Sequence, residues 1–352
     1  MDELCVKIPP FAYLLIITNM NFKVSIHPSN HSFEISPDTT ILEGALEHGY
    51  NLPYSCRNGA CGVCKGKVLK GDVDFGNHQP YALSDTEKKD GIALFCCAKP
   101  KSDVVIESHE VASSAEIQVK TLPCRVQKME KVAEDVMVLF LKLPTNERLQ
   151  FFAGQYIDIL QKDGKPRSFS LANAPHHDEL LELHVRNIPG GAFTHHVFNE
   201  MKERDILRIK GPQGNFTLHE DSTKPIVFVA SGTGFAPVKS IIEHALQIGL
   251  QRPMHIYWGV RKAADLYMLD KIREWQSRGI KFTPVVSDES WSGRTGFVHQ
   301  AVMEDYADLS GYQVYACGAP VVVEAAFRDF TAQRGLPQDE FFSDAFTFVP
   351  KS

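Results

Sequence analysis

The chain has 352 residues, 43% of them hydrophobic and 23% charged, a soluble globular composition long enough for about two or three domains. Its formal net charge of −6, with no clustered basic face, excludes nucleic acid and anionic membrane as electrostatic partners. The early apolar run at residues 11–18 is too short for a membrane span, which takes about 20 residues.

In chain order, residues 1–19 add no recognisable element and read as an extension. Asp2 and Glu3, with no small-residue cleavage pattern after them, argue against a secretory signal and for a cytoplasmic protein. Phe22, Val24 and Ile26, then Phe33 and Ile35, alternate with polar residues and predict a β-hairpin. Thr39 and Thr40 precede Ile41, Leu42, Ala45 and Leu46 at helical spacing, with Gly49 as the stop. Alternation at 118–128, 136–142, 156–160, 167–171, 180–186 and 206–210 predicts an antiparallel β-barrel. After Pro225 buried-strand runs at 226–230, 254–260, 282–286 and 313–317 alternate with helices from Pro237 and near Tyr267, which implies an α/β unit with a parallel sheet. The expected domains are 20–112, 116–220 and 221–352.

Eight cysteines are present, and the grouping of five of them at 56, 61, 64, 96 and 97 points to ligation in a reducing compartment rather than disulfides. Cys56, Cys61 and Cys64 give C-x4-C-x2-C, and Cys96 follows one strand-turn-strand excursion later. That is plant-type [2Fe-2S] spacing. Gly59, Ala60 and Gly62 between the ligands let backbone N–H groups approach the cluster sulfurs. Structural zinc and packed cysteines are the competing readings; zinc rarely uses the x4 spacing.

Residues 20–110 resemble plant-type ferredoxin domains, whose fold is an α+β β-grasp, and the order Leu94-Phe95-Cys96-Cys97 resembles relatives in which the first cysteine ligates. Arg167-Ser168-Phe169-Ser170 resembles the flavin motif of the ferredoxin-NADP reductase superfamily. The resemblance implies Arg167 on the FAD diphosphate, Phe169 on the isoalloxazine and a Ser170 hydroxyl at N5. His184-Val185-Arg186 matches a second strand of that superfamily, and Gly190, Gly191 and Thr194 a pyrophosphate loop at a helix N-terminus. His176, His177, His195 and His196 tempt a metal reading, but adjacent residues project apart, so they read as surface or capping histidines.

The turn 231–237, with Gly232, Thr233, Gly234 and Pro237, follows a buried strand and opens a helix, which suits a dinucleotide diphosphate. Tyr267 and the Cys317-Gly318 pair also resemble superfamily signatures, and the resemblance sets Cys317 beside the nicotinamide, with a buried packing thiol as the plain alternative. Asp288 stands where NADPH-using relatives carry a serine-arginine pair, so NADH is expected, with Arg294 as a compensating charge and NADPH as the alternative. Residues 341–346 resemble the tail that carries an acid and an aromatic toward the flavin.

The order ferredoxin, FAD barrel, nicotinamide domain resembles oxygenase reductase components and, more closely, CDP-6-deoxy-delta-3,4-glucoseen reductase-like proteins. It implies electron flow from NADH through FAD and the [2Fe-2S] cluster to an acceptor, either a deoxysugar dehydratase or a partner oxygenase. A redox-sensing binding protein is the alternative of another class.

Overall fold

The computed structural model describes residues 21–54, 57–59, 62–80, 82–108, 117–161 and 164–346. The expected extension 1–19 and two of the four expected cluster ligands, Cys56 and Cys61, lie outside the described residues.

Three larger sheets organise the described residues. In the first, the strands run in the order Ser32–Ile35, Phe22–His27, Val104–Glu107, Lys65–Lys70 and Ile92–Leu94. The predicted hairpin forms, pairing Val24 with Phe33, and its alternation buries Val24, Ile26, Phe33 and Ile35 on one face. The helix Ile41–Glu47 crosses that face. The Thr40 hydroxyl caps it by accepting from the Glu43 N–H. A Cβ on Gly44 would stand 2.1 Å from Ile35 Cγ2, so only glycine lets the helix lie this close to the sheet.

The second sheet is antiparallel throughout, ordered Pro166–Ser170, Tyr156–Leu160, Ile206–Gln213, Lys120–Ala133, Val136–Lys142 and Leu181–Arg186. A bridge between Leu171 and Leu183 links its two outer strands, which curls the sheet into a barrel. Leu139, Ile157, Leu183 and Ile209 fill the interior, and Phe193 and Val197 of the helix Ala192–Asn199 join that core.

The third sheet is parallel, ordered Arg294–Thr295, Lys281–Val286, Met254–Val260, Ile226–Ser231, Gln313–Gly318 and Phe341–Ala345. Alternate residues of Ile226–Ser231 feed two separate cores: Ile226, Phe228 and Ala230 one, Val227 and Val229 the other. Both faces are therefore covered, as the unbroken apolar run implied. Strand order reverses at Ile226–Ser231, and the crevice beyond its carboxyl end is where such sheets bind ligands. The tail, Phe341–Ala345, is an edge strand in parallel register with Gln313–Gly318, not a loose segment.

Candidate electron-transfer site

Around the cysteine loop, Cys64 and Cys96 are buried and Cys97 is half-buried. The Phe95 N–H donates to the Cys64 carbonyl at 3.0 Å, tying the loop to the turn that carries Cys96. The Cys96 and Cys97 sulfurs lie 3.6 Å apart. Gly59 has φ +76, and a Cβ there would come within 2.8 Å of Cys97 Sγ and 2.9 Å of the Asn77 carbonyl. Buried thiols beside left-handed glycines suit a thiolate-ligated cluster that needs close backbone approach.

On the barrel, Tyr156 stands opposite Ser170 and Asp158 opposite Ser168. Successive residues face opposite ways, so Arg167 and Phe169 share one face, where Phe169 meets Phe193 at 5.3 Å between ring centroids. Ser168 faces the other way and donates to Asp158 Oδ1 at 2.6 Å. Its hydroxyl is thus held within the protein, and Ser170, two residues on, is buried on the same side of the strand, opposite Arg167 and Phe169. Arg167 braces its guanidinium on the Lys165 and Pro166 carbonyls.

His184 and Val185, expected at the cofactor, are both buried. His184 Nε2 lies 2.8 Å from Glu182 Oε1 and Nδ1 3.0 Å from the Tyr267 hydroxyl. An ionised carboxylate only accepts, so Nε2–H donates to Glu182 and, in the neutral ring, Nδ1 accepts a hydrogen bond from the Tyr267 O–H. Burial raises the Glu182 pKa, but His184 and Lys239 outweigh it and hold the carboxyl at about 2. Lys239, itself buried, donates 2.9 Å to Glu182, 3.1 Å to Glu243 and 3.1 Å to the Ala172 carbonyl. This network joins barrel to nicotinamide sheet.

Gly190 has φ +77 and open space where a Cβ would stand. Gly191 precedes the helix Ala192–Asn199, whose first turn receives no side-chain cap. Thr194 instead accepts from the Ile188 N–H at 3.2 Å, which shapes the loop. The resulting groove, lined also by His195, offers unsatisfied N–H groups and fits a diphosphate. His196 pairs with Glu200 at 2.9 Å, whereas His176 keeps a buried Nδ1 with no hydrogen-bond partner, so it is not a plain surface residue.

At the parallel sheet, the strand is followed by a turn that opens on Gly232 at φ +54, and the helix begins at Phe235, earlier than the expected Pro237, which is buried inside it. A Cβ on Gly234 would stand 2.2 Å from the Cys317 carbonyl, and one on Gly318, at φ +128, 2.4 Å from the Ser231 carbonyl. These two glycines fit against each other's strands. The Cys317 thiol is fully buried below them; burial first, and then the charge of Asp344, push its pKa well above the ordinary thiol value, so it stays protonated.

The groove above is lined by Ser231, Gly232, Thr233, Arg261, Ser287 and Phe297, among others. Arg186 also lines it, held by Asp135 at 2.7 Å, with its Nη1 3.1 Å from where a Gly232 Cβ would stand. Asp288 follows the strand Lys281–Val286 and donates its N–H to the Arg261 carbonyl at 2.9 Å. Arg294 is already paired with Asp305, at 2.6 and 2.9 Å.

Sequence reasoning missed Asp158, Gln213, Asp135 and Lys239, whose partners lie far along the chain. Phe297, 62% exposed at the groove, carried the one local signal, an aromatic after a Gly-rich turn.

A thiolate loop, a barrel with an uncapped helix end and a parallel sheet with a glycine turn together define a three-part electron-transfer oxidoreductase. Family models agree segment by segment: a 2Fe-2S iron-sulfur cluster binding domain at 24–101, an oxidoreductase FAD-binding domain at 123–218 and an oxidoreductase NAD-binding domain at 228–328. The chain belongs to the family of iron–sulfur flavoprotein reductases built from these three domains. It is 44% identical over 331 residues to the CDP-6-deoxy-L-threo-D-glycero-4-hexulose-3-dehydrase reductase of Yersinia pseudotuberculosis, covering 93% of this chain and 99% of that one. It is 32% identical to a terephthalate 1,2-dioxygenase reductase component of Comamonas, covering 94% and 99%. The crystal structure of the Amycolatopsis reductase GcoB superposes with a TM-score of 0.77 at 36% identity, covering 93% and 99%. The family carries FAD, NAD and a 2Fe-2S cluster, and no helix among the described residues is long and apolar enough to cross a membrane.

Proposed function

We propose that this chain is the NADH-dependent reductase of a CDP-6-deoxyhexulose 3-dehydratase, passing electrons from NADH through FAD and the [2Fe-2S] cluster to that partner in the cytoplasm. The observation that carries the choice of acceptor is the 44% identity along nearly the whole dehydrase reductase of Yersinia pseudotuberculosis, against 32% for the Comamonas oxygenase component. FAD supplies the junction between a two-electron donor and a one-electron carrier.

In this reading the domains are 20–112, 116–220 and 221–352, and Cys56, Cys61, Cys64 and Cys96 hold the cluster. Arg167 and the Gly190-Gly191 loop take the FAD diphosphate, Phe169 lies against the ring system and Ser170 donates at N5. Thr194 supports that loop, while His184 and Val185 act through the backbone of their strand. The turn Gly232-Thr233-Gly234, set by Gly318, takes the coenzyme diphosphate, with Pro237 anchoring its helix. Cys317 keeps an uncharged, polarisable group under the nicotinamide. Asp288 disfavours a 2′-phosphate, and Arg294, neutralised by Asp305, does not offset it.

Two measurements test this. The purified protein with NADH should drive the dehydratase reaction on a CDP-6-deoxyhexulose; faster delivery to an oxygenase terminal component reverses the choice of acceptor. The kcat/KM should be higher for NADH than for NADPH, and Asp288→Arg should shift the ratio toward NADPH by about tenfold, or ~1.4 kcal/mol.

A further inference from the structure

The ferredoxin sheet and the barrel meet at the cluster loop. Leu52 and Tyr54 contribute backbone carbonyls that accept from the Asn215 side chain and the Asn215 N–H, each at 3.2 Å, and the Tyr54 hydroxyl accepts from the Gly214 N–H at 3.2 Å. Arg57, next in sequence to an expected cluster ligand, has φ +58, a conformation L-residues seldom adopt. Its guanidinium hydrogen-bonds the Gln213 side-chain oxygen, engages the Tyr156 hydroxyl and stands 3.7 Å from Asp158 Oδ2.

Asp158 is the unusual partner. Its side chain is only 7% exposed and accepts from Gln213 at 2.7 Å and Ser168 at 2.6 Å. Both of those donors are neutral, so its ion-pair partner is Arg57, which arrives from another domain. A buried carboxylate without a countercharge is strongly disfavoured. The barrel therefore carries a socket that is satisfied only when the cluster loop is seated. The socket also sits on the flavin strand, because Tyr156 and Asp158 are register partners of Ser170 and Ser168.

We propose that Arg57 is a positioning residue: its insertion into the Asp158–Gln213–Tyr156 socket latches the ferredoxin domain onto the barrel and fixes the separation of cluster and flavin. It touches neither the reacting atoms nor the coenzyme. It acts through the seam, on the transfer from flavin to cluster and not on the transfer from NADH to flavin. This rests on the reading that both cofactors are present.

The test uses the full-length holoprotein, with iron and sulfide content checked first. In Arg57→Gln the Gly214 and Asn215 amides, which donate across the seam, should exchange with deuterium at least about tenfold faster as local opening becomes easier. Stopped-flow mixing with NADH should show flavin reduction at the parent rate and cluster reduction slowed by about tenfold or more, each tenfold being about 1.4 kcal/mol of activation free energy. Arg57→Lys, which restores the charge, should recover most of both effects. Asp158→Asn reaches the same contact from the barrel side, so it decides the matter if Arg57→Gln assembles no cluster. Unchanged amide exchange together with unchanged cluster reduction, in whichever variant is loaded, overturns the latch. Equal slowing of flavin and cluster reduction also overturns it, because that is the signature of general destabilisation. Failure of any preparation to bind iron with sulfide or flavin rejects the cofactor reading instead.

Discussion

The two seams of this molecule are built differently. Barrel and nicotinamide sheet meet through the buried Lys239, Glu182 and His184 and the half-buried Tyr267, bonded in a chain, with Ser240 donating to the Asn173 carbonyl at 2.7 Å. Among the described residues, ferredoxin sheet and barrel meet through 3.2 Å contacts at Leu52 and Tyr54 and the half-exposed Arg57. Hydride transfer needs reacting atoms held about 3–3.5 Å apart, whereas an electron crosses a longer gap. The heavier construction stands where the geometry is tighter.

The sharpest cut between the two halves is at the cluster. Cys96→Ser should abolish the visible absorption of the cluster and drop cytochrome c reduction to background while NADH still reduces the flavin; Cys97→Ser should do neither. If Cys97→Ser bleaches the cluster instead, the ligand assignment moves to its neighbour.

The heavy seam is tested next. Lys239→Met leaves Glu182 buried without its ammonium partner and should lower stability by about 3–5 kcal/mol in urea unfolding. Glu182 also gives this seam an acid limit. Its folded pKa of about 2 lies below its unfolded value, so its contribution is complete above roughly pH 4.3 and fades as pH falls toward 2. In Lys239→Met that fading should begin at higher pH; an unchanged acid profile shows that His184 alone holds the carboxylate.

Tyr267→Phe removes the donor to His184 Nδ1 and leaves a buried nitrogen unsatisfied, at a cost of about 1–3 kcal/mol in the same assay. The lighter seam should respond less. Tyr54→Phe removes the acceptor for the Gly214 N–H, which is worth about 1 kcal/mol. A loss at Tyr54 equal to that at Lys239 erases the contrast between the seams.

What the sequence made legible follows from range. The hairpin, the Thr40 cap and the glycine turn are local, and each appears where its residues predicted. The strand Lys65–Lys70 was expected only as part of the excursion between Cys64 and Cys96, without bounds, because KGKVLK alternates weakly and its inward position is Gly66, which accommodates the Phe95 ring: a Cβ there would stand 2.2 Å from it. The helix Asp85–Lys89 was overlooked although Ser84 and Glu87 spell a capping box. The commitments of Ser168 to Asp158 and of His184 to Glu182 and Tyr267 depend on register and on contacts between sheets. The motif comparison placed both residues in cofactor-binding segments and carried no sign of these partners. Lys239 and Asp158 were invisible for the same reason, since each also depends on a partner more than fifty residues away, Glu182 for Lys239 and Gln213 for Asp158.

The edge strand Phe341–Ala345 supports the strand that carries Cys317, and the Phe346 N–H donates to the Gly318 carbonyl at 2.8 Å. During synthesis at about 5–20 residues per second, the ferredoxin and barrel sheets have every strand available long before that last strand leaves the ribosome. The strands of the ferredoxin sheet and the barrel are therefore made before the strand that flanks Cys317, and that flank is completed after them.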